Sequence, residues 1–396
     1  MDFQLSEDQL ALRKWAHEFA EREIRPVAAA YDETEEFPWP VVQKAAQAGI
    51  YSLEFYTEMV PGDPTGLTLP IVAEETSWGC AGISLALLGS GLPLSALAQS
   101  ATPDQLVRWA PEMVGTPEHP KLGAFAVTEP NAGSDVSALR TTAKKEGDSW
   151  VLNGQKVFIT NGGIADVHVV VATVDPELGH RGQAAFIVPK VPGIRQGKKE
   201  RKLGIRASHT AEVILEDCRI PLENVAGGVE ALEARLERAR SQEQTRSSHA
   251  LRTFEMTRPT VAAQAIGIAR AAQEFALDYA RQRTQFGRPI LENQAIAFKL
   301  ADMALEIDSS RLLAWRAAWM ARTGVEFTHA EGSMSKLKAS ETAVWVTEQA
   351  VQVLGGYGYI KDFPVEKWYR DAKIYTLFEG TSEIQRLVIS RALARG

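Results

Sequence analysis

Apolar positions recur at helical spacing from the start of the chain. Ser6 and Gln9 form a capping box ahead of Leu12, Trp15 and Phe19, so a first helix is predicted there, ending near Pro26. Helical signals dominate to about residue 120, with Pro40–Ala48 and the small-residue-rich Ile71–Gln99 standing out, broken by glycine and proline. From Leu122 the pattern changes to short β-branched and apolar runs: 124–128, 167–174, 184–189 and 211–215. The stretch Ser149–Thr160 reads as a hairpin in which 150–152 and 156–160 flank Asn153-Gly154, the strongest two-residue hairpin signal. After Gly227-Gly228 helical periodicity returns. It covers a salt-laced stretch, 230–240, then a polar segment, 241–249, then a long helix predicted to open at Pro259, and further helices over about 293–322, 330–354, 365–378 and 382–394.

These patterns predict an α+β multidomain chain in α–β–α order, divided at 1–120, 121–228 and 229–396, with an atypical insertion at about 229–250. With 396 residues and 45% hydrophobic content the chain can bury two or three cores. A net charge of −7 argues against a nucleic-acid partner. Cys80 and Cys218 are too few for a disulfide framework or a thiolate cage, which points to a reducing, cytoplasmic setting. The acidic start, Met1 to Asp8, is unlike a secretory or transit peptide, and no apolar run approaches a membrane span.

Candidate chemistry concentrates in Lys373–Gln385. Glu379 stands where an apolar run should end, because Gly380 can take the left-handed conformation that stops helices, and Ser382 with Gln385 reads as the capping box of the next helix. A carboxylate held on rigid backbone beside Tyr375, Leu377 and Phe378 is desolvated, which raises its pKa and prepares it as a general base. The stretch Ala126–Asp135 leaves a strand through a Pro/Asn/Gly loop whose backbone N–H groups and hydroxyls can form a nest for a ring edge or a phosphate. Arg281–Pro289 ends a long helix with positive charge, which suits the helix dipole and equally a phosphate clamp. Gly355-Gly356-Tyr357-Gly358 fails as a dinucleotide fingerprint, since no strand precedes it. Lys198–Lys202 reads as a solvated loop. The seven histidines show no metal-ligand spacing, so no metal is expected, and no Gly-x-Ser-x-Gly elbow supports hydrolysis.

Taken together, the 126–135 loop with Lys156–Gly163 behind it, the Arg283-Thr284-Gln285-Phe286-Gly287 element, and Gln352 through Arg370-Asp371 to Glu379-Gly380-Thr381 resemble the acyl-CoA dehydrogenase family over essentially the full chain. The resemblance implies an N-terminal helical domain, a central β-barrel and a C-terminal four-helix bundle, with FAD between barrel and bundle and across a subunit boundary of a homotetramer. It places Phe125, Val127 and Thr128 against the isoalloxazine ring, Phe158 packed on it where many members have Trp, and Thr160 near N5. Gly133 and Ser134 would reach the FAD phosphates or the substrate. Arg283, Gln285, Phe286, Gln294, Gln352 and Gly356 would grip the FAD of a neighbouring subunit, and Thr381 and Glu383 its AMP half. Glu255 to Arg258, Gly380 and Arg391 fall in the substrate-binding region.

The implied reaction is α,β-dehydrogenation of a fatty or branched acyl-CoA to the trans-2-enoyl-CoA, with Glu379 as base and electrons passed to electron-transfer flavoprotein. Glu255 is a rival base, because some members carry the acid on that helix. The apolar segment matching the acyl pocket, 81–97, contains no Arg, which disfavours a dicarboxylyl-CoA; Leu85 and Leu88 are candidates for shortening the tunnel. Where the chain departs from the family, at 228–254, an Arg-bearing helix is a candidate lid over the CoA phosphates. Alternatives are an acyl-CoA oxidase using oxygen, or an FAD-binding partner subunit of a mixed assembly.

Overall fold

A helix that is buried on all sides must find partners for its polar residues, and the helix Thr68–Gly79 is such a case, with every residue from Pro70 to Gly79 buried. The computed structural model describes residues 4–241 and 249–394, with side chains from 257 onward in the second stretch. In it Glu74 and Glu75 point into the contact between this helix and the long helix His249–Gln282, where Arg270 donates to Glu74 Oε1 and Glu75 Oε1 at 2.8 Å each. Arg311, on the helix Gln294–Thr323, takes both oxygens of Glu74 at 3.0 Å, and His17 lies 2.8 Å from Glu75 Oε2. A Cβ at Gly267 would sit 2.2 Å from the Glu74 carbonyl, so the two helices cross at backbone contact and only glycine fits.

The N-terminal helix Glu7–Phe19 starts on the predicted capping box: Ser6 Oγ accepts from Gln9 N–H at 3.2 Å and Gln9 Oε1 from Ser6 N–H at 3.0 Å. The segment Ala81–Ser100 differs from expectation. By length and composition it is apolar enough to cross a membrane, but most of it is buried inside the fold, with Ile83, Leu87 and Leu97 among its fully enclosed residues. It forms two core helices, Ala81–Leu88 and Gly91–Ser100.

The middle of the chain forms one seven-stranded sheet. Its strands are β1 (Gly123–Ala126), β2 (Thr142–Glu146), β3 (Ser149–Thr160), β4 (Val167–Thr173), β5 (Gln183–Pro189), β6 (Ile194–Lys199) and β7 (Thr210–Pro221), ordered β1-β4-β2-β3-β7-β6 with β5 on β4. The sheet curls as a half-barrel instead of closing. The predicted hairpin at Asn153-Gly154 is wrong: β3 runs unbroken through it, and the turn lies at Gly147-Asp148, between the paired Glu146 and Ser149. Asn153 instead exchanges hydrogen bonds with Asp217 across to β7, at 3.1 and 2.8 Å. The β3–β7 register slips between Leu152 and Gly154, and a Cβ on Gly154 would meet Thr141 Oγ1 at 2.4 Å. The dipeptide therefore marks a bulge and a close approach, the other use of such residues.

Two further expectations are corrected. Lys198 and Lys199 end β6, and Lys202 donates to the Ser208 carbonyl, where burial lowers its pKa to about 8; Lys198 and Arg201 are exposed, so the basic run is a solvated loop only in part. Pro259 lies inside the 249–282 helix and is buried, because packing along this long helix outweighs the one hydrogen bond a proline removes.

The 249–282 and 294–323 helices pack on each other and on Glu331–Leu354, and Ser382–Leu393 packs on the last of these. The sheet is tied to this bundle at the helix Val365–Ala372, where buried Asp371 accepts from Ile205 N–H and from Lys367 Nζ. A Cβ at Gly204 would lie 2.4 Å from the Arg370 backbone, so sheet loop and helix touch main chain to main chain. The Arg-bearing helix Val229–Arg240, a candidate lid by sequence, is docked on the sheet. Leu232, Leu236 and Ala239 are buried, Arg235 donates to the carbonyls of Gln183 and Arg181, and Arg240 pairs with Asp175 at 2.8 Å. The polar residues 242–248 lie outside the described residues.

Burial opposes ionisation of Glu74, but Arg311 and Arg270 outweigh it and hold the carboxyl below its usual range. A carboxylate with a lowered folded pKa contributes stability above its ordinary pKa, and that contribution is lost as pH falls through the folded value. Replacing Glu74 by Gln is expected to cost about 3–5 kcal/mol in denaturant unfolding at neutral pH, because it takes from Arg311 its buried carboxylate and leaves Arg270 with Glu75 alone on that helix. The gap to the parent protein should shrink on acidification.

Candidate active site

Chain geometry after the 365–372 helix makes the site. A short turn, Lys373–Thr376, is followed by two consecutive residues in the left-handed region, Glu379 (φ 50°) and Gly380 (φ 91°), and then by the 382–393 helix. Gly380 meets this requirement freely; Glu379 does so at a cost, a pattern common where geometry serves a site. The capping differs from the predicted box. Thr381 is the N-cap, its hydroxyl accepting from Ile384 N–H at 3.3 Å, while Ser382 is buried. Gln385 reaches back past the helix start, donating to the carbonyls of Glu379 at 3.2 Å and Gly380 at 2.9 Å. A Cβ on Gly380 would be 2.6 Å from that amide, so the glycine is needed for space as well as for its φ.

Two other helices hold the same turn. Lys336, fully buried on the 331–354 helix, donates from Nζ to the Gly380 carbonyl at 2.7 Å. Thr257, on the 249–282 helix, donates from Oγ1 to Glu379 Oε2 at 2.8 Å. Tyr375 is enclosed beneath, its ring edge-on to Phe378 at 5.1 Å, whereas Leu377 is half exposed and gives the carboxylate little cover. Burial raises the Glu379 pKa above the ordinary carboxylate value, against the Thr257 hydrogen bond and the charges of Lys336 and Arg258. The Glu379 backbone N–H has no acceptor among the described residues. Arg258 is buried and donates to Ser333 Oγ at 2.8 Å, so it underlies the site and does not project from it. The side chain of Glu255 lies outside the described residues. Glu383 and Arg391 are exposed on the first and last turns of the final helix.

On the sheet, Phe125 and Thr128 are half-buried and Val127 is buried at the end of β1. The loop beyond is held by an ion pair that sequence reasoning passed over. Lys156, fully enclosed, donates to Glu129 Oε1 at 2.7 Å and to the Val127 carbonyl at 2.9 Å. Glu129 in turn accepts from Arg140 N–H at 2.6 Å and Thr141 N–H at 2.9 Å. Burial opposes the Glu129 charge, but Lys156 and these donors keep the carboxyl below its usual range. The loop is thus closed at both ends, with Gly133 and Ser134 exposed on its outside. The β3–β7 register slips again between Lys156 and Ile159, and there Phe158 is turned out at φ 59°, 65% exposed. Thr160, half-buried, resumes the ladder opposite Thr210.

A third group lines a cavity of about 550 Å³ at the end of the long helices: Arg283, Gln285, Phe286, Val353, Gly356 and Tyr357 among others. The Arg283 guanidinium lies 5.5 Å from the Tyr357 ring centre, and Phe286 is 98% exposed at φ 54°. Gln294 and Gln352 are exposed outside its lining. Among the described residues no group of three His, Cys, Asp or Glu is placed to hold a metal ion.

Family models match along most of the chain: acyl-CoA dehydrogenase N-terminal domain over residues 6–116, middle domain over 124–218 and C-terminal domain over 248–394. The chain belongs to the acyl-CoA dehydrogenase family. It is 42% identical to the rat mitochondrial short-chain specific acyl-CoA dehydrogenase over 99% of this chain and 91% of that protein. It is 41% identical to the short-chain specific acyl-CoA dehydrogenase of Clostridium acetobutylicum over the full length of both. The butyryl-CoA dehydrogenase structure from Megasphaera elsdenii superposes with a TM-score of 0.88 at 37% identity, covering 100% of both chains.

In this acyl-CoA dehydrogenase Thr257, Lys336, Gln385 and the Glu129–Lys156 pair were not singled out from the sequence for these contacts. The one usable signal was a lysine amid apolar residues of β3. Changing Lys156 to Met is expected to leave Glu129 buried and unpaired, costing about 3–5 kcal/mol. Hydrogen exchange should then accelerate in the 129–141 loop before it does elsewhere.

Proposed function

We propose that the protein dehydrogenates a short-chain acyl-CoA thioester to its trans-2-enoyl-CoA, with Glu379 as the general base. The observation that carries this reading is a carboxylate raised in pKa by burial, fixed at Oε2 by Thr257 and set on a turn with an unclaimed backbone N–H. A general base needs a pKa lifted towards working pH and a fixed direction of approach. The Glu379 N–H is positioned to donate to the thioester carbonyl, acidifying the α C–H that the carboxylate then takes. The apolar helices 81–88 and 91–100 bear no cation, with Leu88 buried and Leu85 half-buried, in keeping with an acyl chain. Chain length is assigned by likeness to the short-chain relatives.

FAD is the cofactor we assign, and the residues present fit it. Phe158 and Phe286 are large apolar side chains left exposed on left-handed backbone, a conformation without local benefit unless something covers them. Phe125, Val127, Thr128 and Thr160, with Phe158, would hold the ring. Gly133 and Ser134 would lie along its phosphates or the substrate, and Thr381 and Glu383 along the AMP half. Arg283, Gln285, Phe286, Gln294, Gln352 and Gly356 would serve a neighbouring subunit of a homotetramer. Arg258, Gly380 and Arg391 line the substrate side, Arg258 from beneath. When bound, the flavin supplies a two-electron acceptor for the β hydrogen. Electron-transfer flavoprotein is the proposed next carrier. Two buried free cysteines accord with a reducing, cytoplasmic setting.

Anaerobic mixing of the flavin-loaded protein with butyryl-CoA is expected to bleach the flavin bands. Glu379→Gln should slow bleaching by roughly 10² to 10⁴ while leaving the flavin bound. Bleaching at the parent rate would move the base elsewhere, to Glu255 first.

A further inference from the structure

Three elements converge on Glu379, and two of them supply side chains that touch it or the backbone beside it. Thr257 comes from the 249–282 helix and touches the carboxylate itself. Lys336 comes from the 331–354 helix, is wholly enclosed, and touches the backbone one residue beyond. A buried ammonium is costly unless its partners need it. Its hydrogen-bond partner is a carbonyl of the strained turn, next to the Gln385 amide that donates to the same atom. Two donors on the Gly380 carbonyl fix the plane of the Gly380–Thr381 peptide, one unit beyond Glu379. The Thr257 hydroxyl then selects one rotamer of the carboxylate, leaving Oε1 as the oxygen free to act.

We propose that Thr257 and Lys336 are positioning residues for Glu379, the hydroxyl fixing the carboxylate and the ammonium fixing the left-handed turn that carries it. The inference rests on Glu379 being the base. The charged and titratable groups around that carboxylate are Arg258 beside Thr257, Lys336 below, and Tyr375 on its own segment, with Glu341 and Glu383 acting on Lys336 from further out. Both Thr257 and Lys336 favour the ionised base, so removing either raises its pKa. The acid limb of the rate profile must then move to higher pH.

The test uses flavin-loaded protein and butyryl-CoA, comparing Thr257→Val, Thr257→Ser, Lys336→Met and Glu379→Gln with the parent. Three quantities are read: the saturated rate of flavin bleaching against pH, the substrate concentration for half-saturation, and an infrared titration of the Glu379 carboxyl identified by its loss in Glu379→Gln. Thr257→Val is expected to slow the saturated rate roughly tenfold, the worth of one hydrogen bond, with half-saturation little changed. Its acid limb and its infrared titration should both move up by about one pH unit. Thr257→Ser should restore both, which a loss of packing would not allow. Lys336→Met should shift the limb in the same direction; if it does not fold, Thr257→Val decides alone. Parent-like rate and acid limb in Thr257→Val, with Glu379→Gln inactive, overturn the inference while sparing the base. Parent-like bleaching in Glu379→Gln removes the base assignment, and this inference with it.

Discussion

The constraint on which the rest depends is a conflict at one carboxylate. On the function proposed above, Glu379 can serve as a base only if water is kept from it, yet a desolvated carboxylate on a flexible segment would turn outward or stay protonated. The fold resolves this by denying the segment any freedom. Two successive left-handed residues put the side chain at a corner between helices, and the carbonyls of that corner are taken by Gln385 and Lys336. The carboxylate can neither rotate with its backbone nor swing away from Thr257 without breaking a hydrogen bond. Raised pKa and fixed direction, which oppose each other in a loop, coexist here because the strain is carried by three packed helices.

That arrangement has meaning only if the sheet is held in register with the helices, and buried ions do this. Asp371, eight residues before Glu379, accepts from Ile205 on the loop that leads into β7, so the segment carrying Glu379 is anchored to the sheet before its helix ends. Arg270 and Arg311 bind Glu74 and so tie the N-terminal helices to two helices of the bundle. Buried ion pairs add little net stability over an apolar contact, but they are intolerant of misplacement, because a shift strands a charge. Apolar faces could slide by part of a turn; these contacts cannot.

Much of this was legible in the chain. Period and punctuation gave the element order and the N-terminal cap. They also gave the break at Glu379-Gly380, because glycine after an apolar helical run has few other uses. The resemblance to the acyl-CoA dehydrogenase family is upheld by the family models and the relatives. Errors arose where one residue type serves two physical purposes. Asn153-Gly154 is equally a turn and a bulge, and only the partner strand decides, since Asn153 is held by Asp217 and Gly154 by the approach of Thr141. Pro259 suits a helix start, but packing carried the helix through it. Lys336 looks like a surface residue in its local window and Lys156 is marked only by the apolar residues of its strand; what buries them is a partner far along the chain, Glu129 for one and the Gly380 carbonyl for the other. Local pattern has no access to such partners.

The distribution of left-handed residues makes the same point from another side. Apart from glycine, eight described positions take positive φ, and Glu379, Phe158 and Phe286 are among them. Ile205 is compensated within the chain, since its N–H donates to buried Asp371. Glu379 is compensated by Lys336, Gln385 and Thr257. Phe158 and Phe286 are not, being 65% and 98% exposed on strained backbone. On the reading proposed above, what compensates them is the cofactor and a neighbouring subunit. Whatever covers these two rings must then add to stability by its occupancy, since it binds the folded chain and not the unfolded one. Strain that a lone chain carries without return thus becomes a coupling between cofactor binding and assembly.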